Sequence, residues 1–459
     1  MFESLSPNPA SKNNPSRVDR ILTNRFLGLP IFALVMFLAF QLTFLLGNPI
    51  VAWLDRGKTA LAAAVWNLGG SHQYAVLVKG LLADGIIEGV GAVLQFVPLI
   101  VLMFLCLSIL EDSGYMARGA MVLGRLTQRL GLPGKSFIPM LIGFGCTVPA
   151  VLATRMLSSR RDRLATMMVL PLISCGARLP VYLLILGAFF ADRVIFQLFG
   201  LIDITYQAML LFLIYAIGIG LAVLLMYLLR STLLRGNGLP FEVDLPLYRL
   251  PHPRGVVIQV AQRTWMYLRK AGTIILGMVV LLWALKTYPP LPAERVNSYD
   301  MKRSLLLSGG LDSQDLAGWT KQVDLAQHRE QIENSLLGRI GRGLEPALAP
   351  CGFDWKIAAS LLGSLATKEV FVSQLGVIYA VGEHDQGATL QQKLAEDYTP
   401  LQGFCVMLFC LIFAPCMGTV AVTMKESASW KWALLQWGGL TILAWVVTAI
   451  VYQTATRLF

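Results

Sequence analysis

The stretch Ser136–Val181 reads SFIPMLIGFGCTVPAVLATR, then MLSSRRDRLATMMV, then LPLISCGARLPV. Its first and last parts are apolar enough for a bilayer, yet each is interrupted at its centre by Gly, Pro and Cys. In hydrocarbon such interruptions leave backbone N–H and C=O groups unpaired, which is tolerated only where they are buried in protein or line a wet cavity. The interruptions therefore mark a site inside a membrane protein.

Working outward, the whole chain has this character. Its 459 residues are 56% hydrophobic and 14% charged, with a mean hydropathy of +0.62, which excludes a soluble multidomain chain. The uncharged runs Phe26–Leu54, Gly89–Leu110, Ser136–Thr154, Ile204–Leu229, Tyr398–Met424 and Trp432–Thr456 each reach the roughly 17–25 residues that span a bilayer. The fold class expected is an all-α polytopic membrane protein with about 7–8 transmembrane helices and two re-entrant, broken-helix hairpins. The net charge of +11 sits on residues flanking apolar segments, as the positive-inside rule requires, so nucleic acid is not an expected partner and membrane lipid is.

Orientation follows from the same rule. Residues 1–25 read as a cytoplasmic lead-in without a signal peptide, with Arg17, Arg20 and Arg25 before the first span. Asp55–Glu88, broken by Gly69-Gly70-Ser71-His72, reads as external and partly amphipathic. A full crossing by Ser136–Thr154 would put Arg155–Arg163, with four arginines in nine residues, outside. A re-entrant hairpin turning near Gly143–Pro149 keeps that loop inside, and an extra crossing through Met116–Leu130 is the alternative. The organisation expected is a first transmembrane half, 26–229, containing gate repeat 136–191, then a cytoplasmic loop, 230–270, and a span, 271–285. An external loop, 286–356, and a second half with its own gate repeat, 357–459, complete the chain.

The second half repeats the theme. Gly363–Glu369 aligns with Gly143–Pro149 and Leu411–Cys416 with Leu170–Cys175, the glycine-to-cysteine distance being 32 positions in one copy and 53 in the other. The excess matches a polar insertion, Gly382–Thr399. The parity count inverts one copy relative to the other, the arrangement in which transporters hold substrate near the midplane.

Three of the seven cysteines, Cys146, Cys175 and Cys416, fall at breaks. Cys106, Cys405 and Cys410 read as small buried apolar side chains and Cys351 as a loop residue. Thiols beside exposed carbonyls suit a metal cation of borderline softness, held weakly enough to leave; the plainer reading is small residues that let helices approach. Lys368-Glu369 interrupts apolar Ile357–Val381, where each charge costs about 2.5–3.5 kcal/mol at the membrane centre. Glu369 is expected to attract the cation. Arg178 is expected to bond freed carbonyls or a carboxylate such as Glu369 or Glu111, a scaffold role shared with Glu111 and Asp112.

The blocks GFGCTVPAVLATR, RRDRLATMMVLPLISCGARLPVY, LEDSGYMAR, SLLGSLATKE and FAPCMGT together resemble the membrane domain of FeoB-type ferrous iron permeases, over about Arg17–Phe459. The resemblance implies uptake of Fe2+ across the bacterial inner membrane through two gate regions. It places ion-contacting cysteines at Cys146, Cys175 and Cys416; taken with the readings above, the path expected is Cys146, Thr147, Pro149, Ser174, Cys175, Thr367, Lys368, Glu369 and Cys416, with Glu369 a further expected ligand of the ion.

It also implies a GTPase domain, a small cytosolic Feo-type accessory protein and a homo-oligomer as partners. The nearest stretch to a phosphate-binding loop, Gly131–Ser136, has Arg129 where the motif needs glycine, so no nucleotide is expected on this chain and no enzymatic activity. The competing reading is an organic-solute transporter of nucleoside type. A third, an intramembrane enzyme, would need a paired-Asp, Ser–His or HExxH constellation, which is missing.

Overall fold

The structure is a computed structural model that describes residues 27–67, 78–116, 118–119, 136–157, 159–190, 193–198, 202–234, 251–308, 313–381 and 388–458. The lead-in 1–25, the Gly69–His72 break, most of Gly131–Ser136 and much of the loop 230–270 lie outside the described residues.

Helix α1, Gly28–Asn67, continues past the expected end of the first span. The reason is local: Ala60-Leu61-Ala62-Ala63-Ala64 are strong helix formers, and the charges of the extension find partners. Asp55 accepts from Gln95 at 2.6 Å, and Lys58 reaches Glu88 at 3.0 Å. Both partners belong to α2, Glu88–Asp112, which packs along α1 and is entered through a π-helical turn, Leu81–Ile87.

The next apolar run is two short helices, α3, Phe137–Gly145, and α4, Thr147–Ala153, with 9 and 7 residues. At 1.5 Å per residue neither crosses a bilayer alone. Then come α5, Arg160–Val169, and α6, Leu179–Phe189, separated by two 3-10 turns.

A departure from an all-helical chain follows. Strands β1, Val194–Leu198, and β2, Ile202–Thr205, pair antiparallel with an irregularity between Val194 and Phe196. Their β-branched residues favour a short ladder over helix. Helix α7, Tyr206–Ser231, is N-capped by Thr205; α8, Pro253–Tyr267, runs through a π-helical turn into α9, Thr273–Thr287.

The segment expected as an external loop is itself helical: α10, Ala293–Ser308, α11, Ser313–Asn334, and α12, Leu336–Leu348. Gln331 fastens it to the end of α9, its amide donating to Thr287 O at 2.8 Å and Pro289 O at 3.1 Å while its carbonyl accepts from Leu291 N. Helices α13, Trp355–Gly363, and α14, Val370–Ile378, flank the second break. The chain ends with α15, Ala388–Asp397, α16, Pro400–Ile412, α17, Met417–Ser427, and α18, Trp430–Leu458.

Among the described residues six helical stretches are long and apolar enough to cross a membrane: Pro30–Asn67, Val78–Asp112, Arg160–Phe189, Tyr206–Ser231, Pro400–Ser427 and Trp430–Leu458, with Thr273–Thr287 a shorter apolar helix. The chain is an all-α polytopic membrane protein apart from the β-hairpin. The long helices turn large apolar side chains outward, Phe212 being 76% exposed, as lipid-facing surface does. The fully buried residues Ala150, Val151, Leu170, Leu172, Leu411, Ile412 and Ala414 instead cluster around the breaks. The core of the molecule is thus its least regular part.

Candidate functional site

Each of the three cysteines sits where a helix is interrupted. Cys146 is extended (φ −155°, ψ 133°) between α3 and α4 and is the N-cap of α4. Cys175 (φ −84°, ψ 162°) is the N-cap of the 3-10 turn Gly176–Arg178 that leads into α6. Cys416 (φ −60°, ψ 152°) is the N-cap of α17. None of the three makes a side-chain cap bond, so the sulfur is left to other use.

Contacts between chain segments draw the breaks together. A Cβ at Gly176 would lie 3.7 Å from Gly145 O, so the residues next to Cys175 and Cys146 adjoin. Met417 N donates to Leu365 O at 2.9 Å, joining the two halves of the second copy. A Cβ at Gly218 of α7 would lie 2.8 Å from Leu172 O and 3.0 Å from Leu411, so one helix backs both copies. Helix α17 of the second copy packs on α4 of the first. Cys146 lies close enough to Cys175 and Cys416 for their charges to interact, and Tyr267 likewise to Cys146, Cys416 and Glu369.

The expected ligands are thus neighbours, but they do not form a metal-holding group. Among the described residues no three or more of His, Cys, Asp and Glu are placed to grip one ion. The physical reason is that each thiol stands on a separate break. The Cys416 sulfur meets Thr419 Oγ1 at 3.3 Å instead.

Glu369 is exposed at the second break. Its neighbour Lys368 is 5% exposed, donates to Ala414 O at 2.7 Å and lies 4.5 Å over the Phe413 ring. Thr147, Pro149 and Ser174 are buried, Thr367 and the three break cysteines partly so. Ser174 donates to Tyr182 Oη at 3.2 Å.

The scaffold expectation for Arg178 needs correcting. Arg178 is 2% exposed, and its Nε and Nη1 have no hydrogen-bond partner; neither freed carbonyls nor a carboxylate receive them. Glu111 is taken by Arg263 at 2.9 Å at the end of α2, where Asp112 is the last residue. Cys351, expected in a loop, is buried, with its sulfur 3.6 Å from Trp445 O.

Sequence reasoning missed Tyr267, which closes α8 directly before a π-helical turn. It also missed Glu426 at the end of α17, whose side chain is 4% exposed. Arg155 grips this carboxylate with Nε at 2.8 Å and with Nη2, and Arg163 with Nη2 at 2.7 Å. The arginines lie in the turn that precedes and opens α5 and the glutamate at the end of α17, so the ion pair joins segments far apart in the chain. No local signal marks it.

Comparison with known proteins bears on these same segments. A gate family described as "Nucleoside recognition" matches residues 93–189 and 268–430, which contain both pairs of breaks. The family "Ferrous iron transport protein B C terminus" matches residues 211–263, from within α7 into α8. The chain belongs to the FeoB family. It is 39% identical over 98% of its length to a Fe(2+) transport protein A/Fe(2+) transporter FeoB fusion protein of Porphyromonas gingivalis, covering 52% of that protein. It is 38% identical to the Fe(2+) transporter FeoB of Campylobacter jejuni, over 92% of this chain and 62% of that protein. The relative from Staphylococcus aureus is 36% identical over 95% and 59%. The chain therefore spans between about half and three-fifths of the curated relatives it matches. No solved structure matches it.

Proposed function

We propose that this chain forms the membrane path for uptake of ferrous iron, with the ion passing the breaks at Cys146, Cys175 and Cys416. The observation that carries the reading is the placing of all three thiols at N-caps of interrupted helices in one neighbourhood, in a chain whose relatives are named Fe(2+) transporters. At such breaks, free carbonyls and uncapped N–H groups replace water around a passing ion. The ligands are met in succession rather than as one cage, which suits transit: an ion bound as in a structural site would not leave. Glu369, exposed beside the second break, attracts the cation; Thr147, Pro149, Ser174 and Thr367 shape the path, and Lys368 pins Ala414 beside it.

In this reading residues 136–191 and the second half, 357–459, are inverted gate repeats in the bacterial inner membrane, with the N-terminal side and the Arg155–Arg163 turn facing the cytoplasm. GTP hydrolysis, where it is coupled to transport, belongs to a GTPase domain outside this segment. A small Feo-type protein is the natural accessory, in keeping with the fused relative. The nucleoside reading fits the description of the gate family but not the names of relatives 34–39% identical to this chain.

Anaerobic flux measurements on proteoliposomes decide between the two. Uptake of Fe2+ without nucleoside flux is the expected result, and nucleoside flux without Fe2+ would overturn it.

A further inference from the structure

The ends of four apolar stretches meet at one corner of the molecule. Arg160–Phe189 and Trp430–Leu458 begin there, and Pro400–Ser427 and Tyr206–Ser231 end there. Polar contacts fix the meeting: Arg163 donates to Glu426 O at 3.0 Å and to its carboxylate at 2.7 Å, and Arg230 at the end of α7 lies 3.8 Å from Asp162. Gln436 of α18 donates to Met167 O of α5 at 2.7 Å, and Ser427 donates to Ser429 O at 3.0 Å across the turn from α17 to α18. A surface where membrane-crossing helices end lies in the headgroup layer of a bilayer.

The corner is basic outward and acidic inward. Arg155–Arg163 and Met424–Lys431 together carry six basic and two acidic residues. Both carboxylates are turned in, Glu426 held by Arg155 and Arg163 and Asp162 by Arg230. Arg160, Arg161, Lys425 and Lys431 are exposed. They share one edge, because Arg160 stands one helical turn before Arg163, Lys425 adjoins Glu426, and Lys431 follows the turn closed by Ser427. Among them Met156, Met424 and Trp430 are also exposed, Trp430 by 61%. A soluble anion would satisfy the charges and leave these apolar side chains uncovered, whereas a lipid covers both. We propose that this corner binds an anionic phospholipid, with Arg160, Arg161, Lys425 and Lys431 on its phosphate and Trp430, Met156 and Met424 against its glycerol and upper acyl chains. The lipid ties from outside the two segments that Glu426 ties from within. The proposal does not depend on which ion crosses.

The test uses the purified full chain in detergent, its thermal unfolding midpoint followed as phosphatidylglycerol, phosphatidylcholine or inorganic phosphate is added. The expected result is a saturable upward shift with phosphatidylglycerol alone, because a ligand that binds only the native state raises its stability. The shift should shrink in the double variants Arg160→Gln/Arg161→Gln and Lys425→Gln/Lys431→Gln, whose side chains are exposed, and stay whole in Arg254→Gln/Arg269→Gln, which removes exposed charge elsewhere. An equal shift with phosphatidylcholine or with inorganic phosphate would overturn the proposal, as would a full shift in both corner variants. So would no lipid preference together with binding of an added FeoB-type GTPase domain that the corner variants lose, which would assign the surface to a protein.

Discussion

At the scale of single residues, the glycines of α7 separate close packing from idle space. A Cβ on Gly218 meets Leu172 O, a backbone atom that cannot swing away, while one on Gly220 meets nothing within 4 Å. Gly218→Ala is expected to cost about 1–3 kcal/mol through overpacking. Gly220→Ala, in contrast, gains about 0.5–1 kcal/mol of helix propensity. Thermal unfolding of both variants reads the difference, and equal stability would show that α7 does not press on the breaks. The break cysteines were legible because Gly and Pro beside a thiol in an apolar run are a local signal. Tyr267 was not, because a tyrosine ending a basic, mixed helix looks like an interfacial residue until its neighbours are known. Arg178 differs: its position was legible, but not that two of its guanidinium nitrogens are buried without a hydrogen-bond partner.

At the scale of elements, the ion pair between the Arg155–Arg163 turn and the end of α17 ties these two segments together. Its partners Arg155 and Glu426 lie 271 positions apart, which explains why no sequence pattern announces it. Replacing both arginines by alanine removes two partners of a carboxylate whose side chain is 4% exposed, and the expected loss of stability is below the ~3–5 kcal/mol of a fully buried pair because Arg155 is half exposed. Glu426→Gln frees the turn while leaving no buried charge on α17. That variant is expected to speed modification of Cys146 and Cys416 by a small water-soluble thiol reagent; an unchanged rate would mean the pair does not restrain the gate.

A second contact titrates. Lys356 and Tyr379 donate to Asp397 at 2.6 and 2.7 Å, fixing α15 beside the second break, and these bonds hold the Asp397 carboxyl below its usual 3.8. A depressed carboxylate lends stability above its unfolded value and loses it as the pH falls through the folded one, so the loss begins below about pH 4. The effect is small, because the pair is partly exposed. Hydrogen exchange in Ala388–Asp397 should rise on acidification in the parent and show less pH dependence in Asp397→Asn.

At the scale of the whole molecule, most of the architecture could be read from hydropathy. Spans and helix interruptions follow from apolar runs and the Gly, Pro and Cys within them, since a bilayer permits so few backbone solutions. The sequence did not reveal the extension of α1, the β-hairpin or the helical fold of residues 293–348. Outside the hydrocarbon, helix, strand and loop compete on small propensity differences that tertiary contacts override. Gln331, bonded to three backbone groups at the end of α9, is one such contact.

The central claim is that ferrous iron crosses at the joined breaks. Its most direct test is anaerobic Fe2+ uptake into proteoliposomes by the parent chain, Cys146→Ser, Cys175→Ser and Cys416→Ser, at equal reconstituted amounts, with and without an added FeoB-type GTPase domain and GTP. The account predicts uptake by the parent in at least one condition and a marked loss in the serine variants. Parent-level uptake by all three variants would place the ion path elsewhere and contradict the account.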